Sequence, residues 1–278
     1  MKIYGTFDEA INCVAEDLAF SSYEVDNNRW QSSDVSETPG HNMRELFNRS
    51  FQVIVGGTNL TDHAKDIKPN LPWADDHFLE RVGGVPLNPG KEWKNWPYAN
   101  RANTFRKDQK FSHTYMERYW PKEAGKITAH GGEWNNGHGI RYELGDLNDV
   151  VDLLYREPET RQAFLPVWFP EDTGVTHGER VPCTLGYHFM KRNEFFHMTY
   201  YIRSCDFTRH FRDDLYLSLR LQLWILEKLQ SRDMREAALG ELRWRLAKPG
   251  FFVFHCVSMH MFENDHRKLC NDITKQKN

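Results

Sequence analysis

The segment from Asp213 to Leu229 constrains this chain more than any other. Leu217, Leu221, Trp224, Ile225 and Leu229 recur at helical spacing and line one side of a long helix. It stands between two strand patterns. Phe195–Ile202 alternates well enough to be half-buried, and Phe251–Val257 is a second short apolar run. Upstream, a strand from Thr184 breaks at Lys191-Arg192-Asn193, and Phe164–Trp168 reads as another. Strands and helices mix without regular strand–helix–strand alternation, so the fold class is α+β.

The N-terminal half is less regular. Residues 6–20 predict an amphipathic helix on Phe7, Ile11, Val14 and Leu18. Residues 25–42 predict a loop around Pro39-Gly40, and Phe47–Val55 a strand. Residues 56–110 read as an ordered but irregular insertion. They hold Gly83-Gly84, Pro86, Pro89-Gly90 and Pro97, and their aromatic content (Trp73, Trp93, Trp96) argues against a free linker. Residues 111–120 and 146–157 predict short helices, and Glu241–Ala247 a helical stretch that stops at Pro249-Gly250. One domain over residues 1–278 is the expectation.

Composition excludes several classes. With 36 Lys+Arg against 39 Asp+Glu the net charge is −3, so a cationic coat for direct DNA binding is not expected. No apolar run approaches the length of a membrane span, and residues 1–17 lack the apolar core of a signal peptide. The 18 Phe, 11 Tyr and 9 Trp are too many apolar rings for an unfolded chain. The 5 Cys are odd in number and widely spaced without any Cys-x-x-Cys, which predicts reduced thiols and a cytoplasmic protein.

The candidate chemistry lies in the second half. Cys183, in Arg180-Val-Pro-Cys-Thr, reads either as a buried structural cysteine or as a nucleophile at a strand start with a guanidinium to favour its thiolate. Arg203-Ser204-Cys205-Asp206 ends a strand. A planar guanidinium fork and a hydroxyl suit a phosphate, although the same residues can form an ordinary surface ion pair. Phe211-Arg212-Asp213-Asp214 opens the long helix, where acidic residues also serve as caps. His255, Cys256, His260, His266 and Cys270 match no standard zinc spacing, so no metal is expected.

The order of these pieces resembles the thymidylate synthase family. Pro182-Cys183 is followed after about twenty residues by Arg203-Ser204-x-Asp206, then by an acidic residue opening a helix, then by a strand carrying His260. The resemblance implies a mixed β-sheet flanked by helices and a sheet-to-sheet homodimer. It covers residues 111–270, is weak over 1–55 and is absent over 56–110. Where thymidylate synthases carry Asn, this chain has Asp214. Phe211–Asp214 and Cys183-Thr184 look like the corresponding stretches of the phage deoxycytidylate hydroxymethylases. Asp suits cytosine, whose N4 donates and whose N3 accepts.

The resemblance implies a Cys183 thiolate adding to C6 of dCMP, with 5,10-methylenetetrahydrofolate as one-carbon donor and water as final nucleophile. Hydride in place of water would give methyl transfer, and a homologue without turnover is the other alternative. Glu117 corresponds to the family's catalytic Glu and Trp120 to its nearby Trp. By the same resemblance Arg203 and Ser204 would bind the 5′-phosphate, with Arg161 reaching in from the other subunit, Asp206 would contact the pterin and His260 the deoxyribose. His138 stands where the family has a Tyr near the C5 proton, and Arg29 is the nearest candidate for the N-terminal loop Arg. Gln162 replaces a second Arg, and Phe262 a sugar-binding Tyr.

Overall fold

The computed structural model describes residues 1–30, 33–124, 143, 145–173, 180–236 and 243–277. In chain order the elements are β1 (Lys2–Tyr4), α1 (Phe7–Ser21), β2 (Tyr23–Val25), β3 (Arg29–Trp30), β4 (Ser33–Asp34), β5 (Met43–Ile54), α2 (Leu60–Ile67) and α3 (Trp73–Val82). Then come α4 (Ala99–Asn103), α5 (Tyr115–Tyr119), α6 (Leu147–Arg156), β6 (Phe164–Pro166), β7 (Thr184–Arg192), β8 (Phe195–Asp206), α7 (Phe211–Glu236), β9 (Lys248–Phe262) and α8 (Glu263–Lys277).

A seven-stranded sheet runs β1-β5-β9-β8-β7-β6, with β2 also paired to β5. It is mixed: β8 and β9 are parallel, whereas β5–β9, β7–β8 and β6–β7 are antiparallel. The parallel pair demands a crossover, and α7 supplies it. Phe196, Met198, Tyr200 and Ile202 of β8 and Phe252, Phe254 and Cys256 of β9 point into the core beneath α7 and are almost fully buried. Each large side chain buried this way contributes about 1.5–3 kcal/mol. α7 also packs against α2, α3 and α6, which is why its buried residues spread beyond a single stripe. On the opposite face, alternate residues such as Phe195 and Val257 stay exposed.

Several sequence expectations are corrected. Residues 56–110 are not irregular throughout. Asn59 caps α2 through a 3.0 Å bond from Thr61 N, and α3 follows Pro72 and ends at Gly83. Both helices are short and ringed by Pro and Trp, which hides their period. Within 25–42, β3 and β4 form a small hairpin. β9 runs on to Phe262, and the polar helix α8, which the apolar pattern does not signal, packs on α1. The described part of 241–247 is turn, because the Asp233 carboxylate draws in the amides of Trp244 and Arg245 at 2.9 and 3.0 Å.

Next to the predicted nucleophile the β7–β8 ladder slips between Thr184 and Gly186. Such a bulge re-aims the side chains beside it. Gly186 is required there: a Cβ would lie 2.5 Å from the Phe164 ring and 2.7 Å from the Leu165 carbonyl.

Candidate functional site

A cavity of about 490 Å³ opens where β8 ends and α7 begins. Strand register builds one wall. Ser204 and Asp206 on β8 lie beside Ser258 and His260 on β9, and the Arg203 amide donates to the Cys183 carbonyl at 2.9 Å. Cys183, Arg203, Ser204, Asp206, Asp214 and His260, all expected at the site, line this one space.

The Arg203 guanidinium holds the segment before β7. Its Nε donates to the Pro182 carbonyl at 2.9 Å and its Nη2 to the Val181 carbonyl at 3.2 Å, and Nη2 lies 4.0 Å from the Cys183 sulfur. Arg180 instead lays its guanidinium over the Phe105 ring at 4.6 Å. Sequence suggested a thiol pKa lowered by a nearby guanidinium. The structure corrects this: burial pushes the Cys183 thiol up, and Asp214 adds to the rise, while Arg203 and Arg180 only pull against it.

Asp214 does not act as a helix cap. It lies one turn inside α7, its amide bonded to the His210 carbonyl at 2.8 Å, and its Oδ2 accepts the Cys205 thiol at 3.6 Å. The turn before α7 is held instead by Asp206, which accepts the amides of Thr208 and Arg209 at 2.9 and 3.0 Å and the Arg209 guanidinium at 2.9 Å. Asp206 therefore lines the cavity with its carboxylate already committed to that turn. Asp213 accepts both the backbone and side-chain N–H of Asn70, each at 2.8 Å, and ties α7 to the loop before α3. Burial is the first cause that raises the Asp214 carboxyl, to about 7; Arg81 opposes it and Asp213 reinforces it. A carboxyl at that value carries a proton half the time at neutral pH.

His260 is buried, with Nδ1 3.4 Å from the Ser258 hydroxyl, and burial lowers its pKa. Phe262 lies under the Arg209 guanidinium at 5.0 Å.

Three predicted residues fall elsewhere. Glu117 is absent from the cavity lining. Its carboxylate closes the capping box of α5, accepting Thr114 N at 2.9 Å, and takes a further bond from Asn88 Nδ2 at 3.0 Å. Burial raises its pKa despite these donors. The α5 residue that faces the cavity is Tyr115, whose hydroxyl meets Thr184 Oγ1 at 2.9 Å. Trp120 is buried behind the wall, donating its Nε1–H to the Arg81 carbonyl at 2.8 Å. Arg161 is exposed and outside the cavity. His138 lies outside the described residues, and so does the side chain of Arg29. The zinc candidates part company: His255 bonds Ser50 Oγ at 2.7 Å, while His266 Nε2 and Cys270 sulfur meet on α8 at 3.5 Å. No group of metal-binding side chains occurs among the described residues.

The second wall comes from residues that sequence reasoning assigned to the insertion. His77 stacks on Trp73 at 5.0 Å, Trp73 packs on Trp96 at 6.0 Å, and Trp96 stacks on His210 at 4.9 Å. This aromatic column joins α3 to the turn before α7. Burial lowers His77 and His210 to about 4 and His113 to about 3, so these cavity imidazoles are neutral at pH 7. Arg81, also in the wall, is only 5% exposed. The signal for it existed: Arg81 recurs with Ala74 and Phe78 on the buried face of α3, where an unpaired charge is out of place. Beside the main cavity Trp73, Trp93, Trp96, Phe105 and Phe111 line a smaller space of about 170 Å³.

No family model matches the chain. It is 25% identical over 177 residues to a provisionally named thymidylate synthase of Methanococcoides burtonii, covering 62% of this chain and 71% of that protein. Similar proteins with the same provisional name come from Methanosarcina mazei (25% identity, 61% of this chain, 70% of that one) and Methanosarcina barkeri (24%, 60% and 61%). Among solved structures, thermostable thymidylate synthase A of Bacillus subtilis superposes with a TM-score of 0.60 at 12% identity, over 96% of this chain and 84% of the other. The chain has the thymidylate synthase fold, and over about three-fifths of its length its sequence is similar to archaeal proteins provisionally given that name.

Proposed function

We propose that the protein is a deoxycytidylate 5-hydroxymethyltransferase that takes its one-carbon unit from 5,10-methylenetetrahydrofolate. The observation that carries this reading is an acidic side chain, Asp214, facing the cavity that also holds the Cys183 thiol and Arg203. The Cys183 sulfur adds to C6 of the pyrimidine. The C5–C6 π pair moves toward N3, which takes a proton, and C5 becomes the nucleophile toward the one-carbon unit. A carboxyl that shares one proton with the base matches cytosine: it accepts from N4–H and supplies or accepts the proton at N3. Arg203 and Ser204 bind the 5′-phosphate, and the Arg203 Nη1 group, with no hydrogen bond among the described residues, is available to it. His260 reaches the sugar. The aromatic space beside the cavity offers flat walls to the fused rings of the folate. Water as the last nucleophile gives hydroxymethyl.

The assembly we propose is a homodimer through the uncovered sheet face, where Phe195 and Val257 are each 41% exposed and Tyr201 stacks on His255 at 5.3 Å. Arg161 then serves the partner's phosphate site. The enzyme works in the cytoplasm, without direct contact with DNA.

A second reading follows from one observation. With its carboxyl raised to about 7, Asp214 in its protonated form can donate to O4 and accept from N3–H of uracil. dUMP turnover, if it occurs, is then confined to the acid side, and the enzyme is thymidylate synthase-like. Asp214→Asn tests the assignment. Tritium release from 5-tritiated dCMP should fall, and release from 5-tritiated dUMP should rise, shifting the ratio by at least about tenfold. An unchanged ratio removes Asp214 as the reader of the base.

A further inference from the structure

Arg81 is a buried cation with no carboxylate at ion-pair distance among the described residues, an arrangement that is costly unless the charge has work to do. It is held firmly. Its Nε donates to His77 Nε2 at 3.1 Å, its guanidinium carbon sits 4.0 Å over the Tyr115 ring, and its carbonyl accepts the Trp120 indole. The bond from Arg81 makes His77 Nε2 the acceptor. The ring proton therefore sits on Nδ1, which faces Glu80 Oε2 at 3.5 Å. Trp73, stacked on the imidazole, prevents it from turning. Glu80 is fixed in turn by the amides of Lys91 and Glu92. His77, stacked on Trp73, thus holds the Arg81 guanidinium in the same cavity wall as Asp214.

We propose that Arg81 is a positioning residue: it is the fixed counter-charge that allows Asp214 to give up its proton to the pyrimidine as Cys183 adds. This rests on the proposed reaction. The Cys183 thiol first gives its proton to solvent; the thiolate lone pair then forms the S–C6 bond, the π pair arrives at N3, and the proton passes from the Asp214 carboxyl to N3. The negative charge therefore moves from the thiolate to the Asp214 carboxylate. In a cavity walled by buried side chains, that charge is unstable without a cation facing it. Other groups around Asp214 do not supply one. Asp213 on its own helix and Asp206 in the turn before it are both acidic. Cys205 on β8 donates a thiol hydrogen, while Cys183 and Cys256 are thiols held neutral by burial. Tyr187 and Tyr200 are buried phenols and Tyr115 a half-buried one, all pushed up from their ordinary value, and His210 is neutral. Arg203 and Arg180 also line the cavity, but Arg203 turns to the Pro182 and Val181 carbonyls and Arg180 to the Phe105 ring, which leaves Arg81 as the counter-charge to Asp214.

The test compares wild type, Arg81→Met and Arg81→Lys by two readouts. Carbon-13 NMR of the Asp214 carboxyl, assigned with Asp214→Asn, gives its titration in the ligand-free protein. In Arg81→Met the midpoint should rise by about one pH unit, and in Arg81→Lys it should stay near wild type. Because Asp214 must carry the proton it gives to N3, it sets the basic limb of kcat/KM for tritium release from dCMP; that limb should move up by the same amount while the plateau below it falls by up to about tenfold, with Lys restoring most of the rate. A purely structural role would lower the rate equally at every pH and leave the limb in place. An unmoved carboxyl midpoint in a folded Arg81→Met variant overturns the proposal. So does a midpoint that moves while the limb of an active enzyme does not. A midpoint that moves while wild type releases no tritium overturns the reaction, and with it the catalytic role, but leaves the electrostatic pairing standing.

Discussion

The two walls of the cavity differ in how they are made. The first, on β7, β8, β9 and the start of α7, is positioned by backbone pairing: Ser204 meets Ser258 and Asp206 meets His260 because two parallel strands share a register. The second, on α3 and the stretch that follows it, is positioned by rings, the His77–Trp73–Trp96–His210 column. Register places reactive groups from short local runs of sequence. Packing places them from residues more than a hundred positions apart. The reaction we propose is assigned to the first wall, and the charge balance we propose for it to the second.

The largest effect expected tests the first wall. Cys183→Ala should abolish tritium release from dCMP by about 10⁴-fold or more, with the fold intact by circular dichroism. Activity that survives this change would leave the strand-borne wall without its nucleophile.

A smaller effect concerns what the site takes from stability. The Asp214 carboxyl is raised in the folded chain to about 7 from an ordinary value of 3.8. The folded state thus holds that proton more tightly than the unfolded one. Its contribution is fully present below about pH 4, is lost as pH rises to about 7, and is flat above. Asp214→Asn should therefore be more stable than wild type at pH 8, by up to about 4 kcal/mol, with the gap closing by pH 4. Urea unfolding at the two pH values measures it. A gap independent of pH would mean that Asp214 is not held protonated by its surroundings.

The smallest effect separates the two accounts of Glu117. If its carboxylate only closes the α5 capping box, Glu117→Gln keeps both the cap and the rate, with kcat within about threefold, because Gln serves at that position. Glu117→Ala should then cost about 1 kcal/mol in unfolding experiments. A kcat loss of a hundredfold in Glu117→Gln would return the residue to the chemistry.

Much of the first wall was legible because its information is local. Pro182-Cys183 and Arg203-Ser204 each sit at a strand boundary that alternation marks, and Asp214 opens a helix whose apolar side is plain. The second wall was not, for physical reasons. α3 is short, its stacking partner Trp96 lies beyond two proline-rich turns, and His210 comes from the other half of the chain. The same distance misled the reading of α5. The resemblance places Glu117 and Trp120 near the site, but only the fold shows that Tyr115 turns toward the cavity and Glu117 toward Asn88. α8 escaped notice because its contact with α1 rests on few apolar residues.

The most direct test of the central claim is mass spectrometry of the product formed from dCMP and 5,10-methylenetetrahydrofolate, with dUMP in a parallel reaction at pH 7.5. The account predicts 5-hydroxymethyl-dCMP, with dUMP left unchanged or turned over far more slowly. Product from dUMP alone would contradict it, and would mean that the protonated Asp214 reads the uracil edge.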